Sequence, residues 1–133
     1  HKPKIRLNPG FEVHYVGNLS DDISLVTLYS AVDVTIVPSL QENLSNVIME
    51  SLSCSTPVVG FDIGGNSDLI KHKINGYLSR PYESLDLSIG ILWTLKNSVN
   101  LGLSAREMVV RKFDYNVIAP LYRDLYDEIL CKK

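Results

Sequence analysis

Cysteine is scarce in this chain: two in 133 residues, Cys54 and Cys131. Two thiols make no disulfide framework, so the fold must rest on an ordinary apolar core. Cys54 closes an apolar helical stretch and reads as a small buried residue, which favours a reduced, cytoplasmic setting. Excess charge is also lacking. Thirteen Lys and Arg against 15 Asp and Glu leave a net charge of −2, so nothing draws the chain to nucleic acid. No apolar run reaches the length of a membrane span, and nothing at the start reads as a signal peptide. The three histidines are scattered, and no His/Cys/Asp group has metal-ligand spacing. Internal repeats and low-complexity tracts are missing as well.

What is present is a globular pattern. The length suits about one domain, and 45% hydrophobic content supplies a core. His1-Lys2-Pro3-Lys4 reads as a solvated basic flank. Residues 11–16 alternate apolar and polar up to Gly17, which predicts a first strand. A helix is expected over 23–31, capped by Ser20 or Asp21, with Ile23, Val26 and Tyr29 or Ser30 inward. Residues 33–37 are nearly all apolar and predict a strand buried on both faces. The next helix starts near Ser45 or Asn46, with Val47, Ile48, Met49, Leu52 and Cys54 on its buried side. Residues 57–61 predict a central strand opened by Pro57. A glycine turn follows over 63–66, then a short helix over 67–70 and a turn into a short strand over 74–78.

The remainder reads as three helices, over 83–96, 101–112 and 115–130. Their apolar stripes predict core faces: Leu85, Ile89, Leu92 and Trp93; Leu103, Met108 and Val109; Val117, Ile118, Leu121, Leu125, Tyr126 and Ile129. Pro120 falls in the first turns of the last. Alternating strands and helices imply parallel crossover units, hence an α/β, Rossmann-like open parallel sheet with helices on both faces. Ligands of such sheets bind beyond the carboxyl ends of the strands. That edge holds three segments: 17–19, 38–46 and 62–66.

The middle segment carries Glu42, and Glu50 follows with seven residues between them. Eight helical steps span about 12 Å and turn the two side chains roughly 80° apart. They are too distant to act as the closely spaced carboxylates of a retaining glycosidase. They suit two ends of one elongated ligand, with hydroxyls at both ends and a diphosphate over the amides of Leu44, Ser45 and Asn46. The plain alternative is a loop charge at Glu42 and an exposed helix residue at Glu50.

Pro38-Ser39, the Glu42/Glu50 spacing, Thr56-Pro57-Val58-Val59 and Gly64-Gly65 together resemble a known domain. It is the C-terminal, donor-binding domain of the retaining GT-B glycosyltransferases of the group 1, or family 4, type. Val16-Gly17, residues 28–34, Asn75-Gly76-Tyr77-Leu78, Phe113-Asp114-Tyr115 and the stretch 121–126 extend the likeness over about 11–130. The resemblance implies that residues 1–133 form one nucleotide-sugar-binding domain, truncated at its N-terminal side, with 115–131 as a C-terminal helix. The acceptor-binding N-terminal domain would be a missing partner. The last helix would pack back on that domain, which leaves its apolar face partly exposed here.

By the same resemblance, Glu50 accepts from the donor ribose hydroxyls. Glu42 sits beside the transferred sugar as the catalytic candidate. The main chain of Asn43, Leu44, Ser45 and Asn46 meets sugar and diphosphate, and Gly17, Asn18 and Ser39 flank the base. The reaction implied is hexosyl transfer with retention to a polysaccharide, glycolipid or similar acceptor. The donor is a nucleotide sugar, and no metal or other cofactor is expected. The expected location is the cytoplasm, with the whole enzyme able to associate at the inner membrane face.

The chain departs from the family pattern at three points. Asn43-Leu44-Ser45 replaces Gly-Phe-Gly, and Ser55 stands where glycine precedes Thr-Pro. The diphosphate-binding arginine and lysine of the family's opening strand have no match, since Lys2, Lys4 and Arg6 lie in a different setting. On this reading the isolated domain binds but does not catalyse. Rival functions are a nucleotide-sugar epimerase of the same architecture and a non-catalytic nucleotide-binding, receiver-like module. A receiver requires acidic residues at the ends of its first and third strands, and no such trio is evident. His14 reads as structural or surface, His72 as solvated, and Trp93 as a core anchor.

Overall fold

The computed structural model describes residues 10–131. The basic flank, Lys2, Lys4 and Arg6 therefore lie outside the described residues. The elements are α1 (Asp22–Ser30), β1 (Thr35–Val37), α2 (Asn46–Ser53), β2 (Val58–Phe61), α3 (Asn66–Leu69), β3 (Gly76–Ser79), α4 (Ser84–Phe113) and α5 (Tyr115–Cys131). The three strands form one parallel sheet in the order β1-β2-β3, with Thr35 opposite Val58 and Val58 opposite Gly76. β2 is central and fully buried, as its unbroken apolar run requires.

The core is built between β2, α2, α3 and α4. Ile48, Leu52, Val58, Leu69, Ile70 and Ala105 are all at 0% exposure. Buried hydroxyls tie the layers together. Thr56 Oγ1 donates to the Tyr29 carbonyl at 2.6 Å, linking the turn before β2 to α1. Ser51 Oγ lies 2.8 Å from Thr35 Oγ1 and 3.0 Å from the Thr56 carbonyl. At the end of α2 the Ser55 N–H donates to Leu52 and the Thr56 N–H to Ser51, the Schellman pattern, with Ser55 at φ +62°. Serine therefore holds the left-handed position expected of the family's glycine.

Several expectations change. Residues 11–16 form no strand. Phe11, Val13, Tyr15 and Val16 are exposed, and β1 makes its ladder with β2 alone. Alternation marks a side-chain pattern, but a strand also needs a ladder partner. β1 is accordingly an edge strand with Ile36 exposed, not one buried on both faces. In α1, Asp21 is the cap, accepting from the Ser24 N–H at 2.8 Å. Tyr29 is buried, but Ile23 and Val26 face outward. In α2, Val47 is exposed and Ile48, Ser51 and Leu52 point inward.

The two helices expected over 83–112 are one helix of 30 residues. Nothing in 97–100 breaks it: there is no proline or glycine there, and Asn97 Nδ2 bonds back to the Trp93 carbonyl at 2.8 Å. Its inward face is set by Gly90, Thr94, Leu101, Gly102, Ala105, Met108 and Val109. Gly90 abuts the Tyr77 ring, and Gly102 abuts the Ser55 carbonyl at the end of α2. Leu85, Ile89, Leu92 and Leu103 consequently point outward. Trp93 is half-buried, 6.0 Å from the Tyr77 ring and 5.7 Å from Lys73 Nζ. α5 buries none of its residues. Its stripe of Val117, Leu121, Leu125, Tyr126 and Ile129 is exposed rather than core.

Candidate functional site

Glu42 falls in the loop that follows β1, and Glu50 lies further along α2, the helix that this loop opens. Glu50 lies on the exposed side of α2. Its Oε2 accepts from the Tyr29 hydroxyl at 3.1 Å. Tyr29 and Glu50 line a cleft of about 440 Å³ between α1 and α2, with Asp22, Leu25, Val26, Asn46, Met49, Ser53 and Cys54. Burial pushes the Tyr29 phenol up to about 12, reinforced by its bond to the Glu50 carboxylate and that group's charge. The cleft thus joins apolar walls to one oriented carboxylate at its rim.

Glu42 is half-buried in the loop after β1. Its carboxylate accepts from Ser39 Oγ at 3.4 Å and from the Asn43 N–H at 3.2 Å. The main chain here is fixed from behind by the glycine turn. Gly64 takes φ +50°, and any Cβ on it would collide with the Glu42 carbonyl. The Gly65 N–H donates to the Asn43 carbonyl at 2.6 Å. Only a residue without a side chain permits that approach. The pair Gly64-Gly65 therefore shapes the loop that presents Glu42.

Ser45 is the N-cap of α2, is buried, and makes no side-chain cap bond. The first amides of the helix, which have no intrahelical acceptors, keep their N–H groups uncapped by it. Asn46 sits on the cleft wall, and Leu44 is exposed with its side chain beside Gly65. The structure therefore joins Ser39, Glu42 and Asn43 in one cluster, and Asn46 and Glu50 in the cleft. Gly17 and Asn18 lie on the exposed 11–20 segment, Gly17 at φ +76°.

Tyr29 is the site residue that sequence reasoning missed. Its inward placement was legible, but its pairing with a glutamate 21 residues away was not. His72, expected to be solvated, is exposed yet bonded: its Nδ1 accepts from the Leu78 N–H at 3.3 Å, and its ring lies 4.4 Å from that of Tyr77. His14 is exposed beside Glu12 at 3.2 Å. Near β3, the Arg80 N–H and the Tyr77 hydroxyl donate to Asp86, and the Arg80 bond holds that carboxyl below its usual range.

A parallel sheet with its carboxylate loop and uncapped helix start at the strand ends defines the class: a Rossmann-like α/β unit of GT-B architecture. The chain belongs to the group 1 glycosyltransferases, whose family model matches residues 2–97. It is similar to the N,N'-diacetylbacillosaminyl-diphospho-undecaprenol alpha-1,3-N-acetylgalactosaminyltransferase of Campylobacter jejuni, at 30% identity over 93% of this chain and 32% of the relative. Its structure resembles sucrose-phosphate synthase from Thermosynechococcus elongatus, with a TM-score of 0.77, 29% identity, and coverage of 83% of this chain and 28% of that one. It also resembles HepE of Anabaena in complex with UDP, with a TM-score of 0.68, 27% identity, and coverage of 75% and 29%. The same Anabaena protein is known in complex with UDP-glucose. The chain thus spans about a third of the length of these relatives.

Proposed function

We propose that this chain is the donor-binding half of a retaining hexosyltransferase that uses a nucleotide sugar. The observation that carries the reading is the Glu50 carboxylate, held by the Tyr29 hydroxyl at the rim of the 440 Å³ cleft. Similarity to proteins solved with UDP and UDP-glucose supports it. Glu50 accepts from two vicinal ribose hydroxyls, and the cleft wall takes the base. The start of α2, with Leu44, Ser45 and Asn46, faces the diphosphate, where exposed amides and the helix dipole favour an anion. Glu42 lies beside the hexose and orients it. Gly17, Asn18 and Ser39 flank the nucleotide.

Charge builds on the leaving diphosphate as the glycosidic bond breaks. Amides and cations placed in advance stabilise that charge, so the reaction runs without a resident metal. The acceptor site belongs to an N-terminal partner domain, the cationic side chains for the diphosphate belong to the opening strand of the donor domain as in the family, and the acceptor is a polysaccharide, a glycolipid or a similar molecule. Among the described residues no helix is long and apolar enough to cross a membrane. The enzyme works in the cytoplasm, against the inner membrane face when its acceptor is a lipid.

Variants of a two-domain enzyme carrying this chain test the assignment. Glu50→Ala is expected to weaken donor binding by about 1.5–3 kcal/mol, the range for a hydrogen bond to a charged group. Glu42→Ala is expected to lower turnover more than nucleotide affinity. Steady-state kinetics with direct nucleotide binding separates the two. Unchanged affinity in Glu50→Ala would refute the ribose role, and the reverse pattern in Glu42→Ala would reassign that residue.

A further inference from the structure

Tyr29 enters the reading above only as a support of Glu50, with no part in choosing the ligand. It is 7% exposed, and its hydroxyl donates to Glu50 Oε2 at 3.1 Å. We propose that Tyr29 is the positioning residue of the nucleotide site: it fixes the Glu50 carboxylate against a ribose diol and so makes the site select a ribonucleotide over its 2′-deoxy form. The inference rests on the assignment of Glu50 as the ribose acceptor.

The geometry supports the role from both ends of the pair. Glu50 stands on the exposed side of α2 with a flexible side chain. An unpinned carboxylate there would sample several rotamers, and a ligand would have to bear the ordering entropy on binding. One bond from Tyr29 removes much of that freedom. A carboxylate offers about four acceptor positions. Tyr29 fills one on Oε2 and leaves Oε1 open. Two vicinal hydroxyls can then be met together, an arrangement that depends on how the carboxylate plane is turned.

Tyr29 is itself held rigidly. Its ring is packed in the cleft wall between α1 and α2, and its carbonyl accepts from Thr56 Oγ1 at 2.6 Å. Thr56 is in turn anchored by Ser51 Oγ, 3.0 Å from its carbonyl. The hydroxyl therefore acts from a fixed base. The direction of the bond is also fixed, because a carboxylate can only accept. The phenol, pushed up to about 12, remains a donor throughout the neutral range. The sequence already hinted at the placement, since Tyr29 falls on the inward face of α1 with Glu50 on the next helix.

Dissociation constants for UDP and 2′-deoxy-UDP, measured by titration on a two-domain enzyme carrying this chain, test the proposal in four forms: wild type, Tyr29→Phe, Glu50→Ala and the double variant. Phenylalanine keeps the ring in the wall and removes the donor alone. The wild type is expected to prefer UDP. Tyr29→Phe is expected to shrink that preference by about 2–10-fold, the effect of one net hydrogen bond, and the double variant to match Glu50→Ala. A general loss of packing would weaken both nucleotides alike and leave their ratio unmoved. A ratio that Glu50→Ala abolishes and Tyr29→Phe leaves intact overturns the positioning role while the Glu50 assignment stands. A wild type that binds neither nucleotide or treats both equally, or a ratio that Glu50→Ala does not change, overturns the Glu50 assignment and the role of Tyr29 with it.

Discussion

Tyr29 shows how one buried hydroxyl links the stability of the chain to its site. The phenol has an ordinary value of 10.0 and is pushed up to about 12 in the fold, first by burial and then by Glu50. The folded state therefore keeps its proton where the unfolded chain has lost it. Its contribution to stability is fully present below pH 10 and is lost as pH rises toward 12. Denaturant unfolding across that window is expected to show a steeper fall for the wild type than for Tyr29→Phe. Equal slopes would contradict the burial of the phenol. The residues that frame the site were legible to different degrees. The spacing of Glu42 and Glu50 and the flanking Pro38-Ser39 and Gly64-Gly65 are local patterns, readable along the chain. The Tyr29–Glu50 bond joins two helices, and no local pattern encodes a contact across 21 residues.

Elements carry a second test. Ser55 closes α2 at φ +62°, where a Cβ is disfavoured and glycine is not. Ser55→Gly is expected to stabilise the chain by about 1 kcal/mol, read as a higher denaturation midpoint; a loss of stability would mean that the Ser55 side chain contributes more than its strain costs. The family resemblance alone marked this position, since it places glycine before Thr-Pro where this chain has Ser55. From residue 33 to 79 the order of strands and helices was legible in local patterns: β2 reads as an unbroken apolar run, and glycine marks the turn before α3 and opens β3. Faces were harder to read. In α4 both sides are rich in leucine, isoleucine and valine, so periodicity alone does not choose between them. The choice falls to small residues: Gly90 fits under Tyr77 and Gly102 against Ser55. The fusion of two expected helices has a like cause, since polar residues at 97–100 suggested a loop, while Asn97 bonds within the helix.

The molecule as a whole has a dense centre and a loose margin. α2, α3, β2, Val37 of β1 and the C-terminal third of α4 share the core, whereas α5 buries no residue and the 11–20 segment is exposed apart from Leu19. Local opening follows buried contact, so amide hydrogen exchange is expected to be slowest in β2 and α2 and markedly faster in α5. Equal protection in α5 and β2 would contradict this packing. The same margin explains why the strand over 11–16 was misread, and why the stripe of the last helix is exposed, as the resemblance implied, rather than core, as periodicity implied: apolar patterning specifies a surface to be covered, not what covers it. The central claim is that the loop carrying Glu42 and the cleft carrying Glu50 together bind a nucleotide sugar. The most direct test is an NMR titration of a two-domain enzyme carrying this chain with UDP and UDP-glucose, with Glu50→Ala as control. The account predicts shifts clustered at Tyr29, residues 39–50 and Gly64-Gly65, and their loss in the control. An unchanged spectrum at millimolar ligand, or shifts gathered on another face, would contradict it.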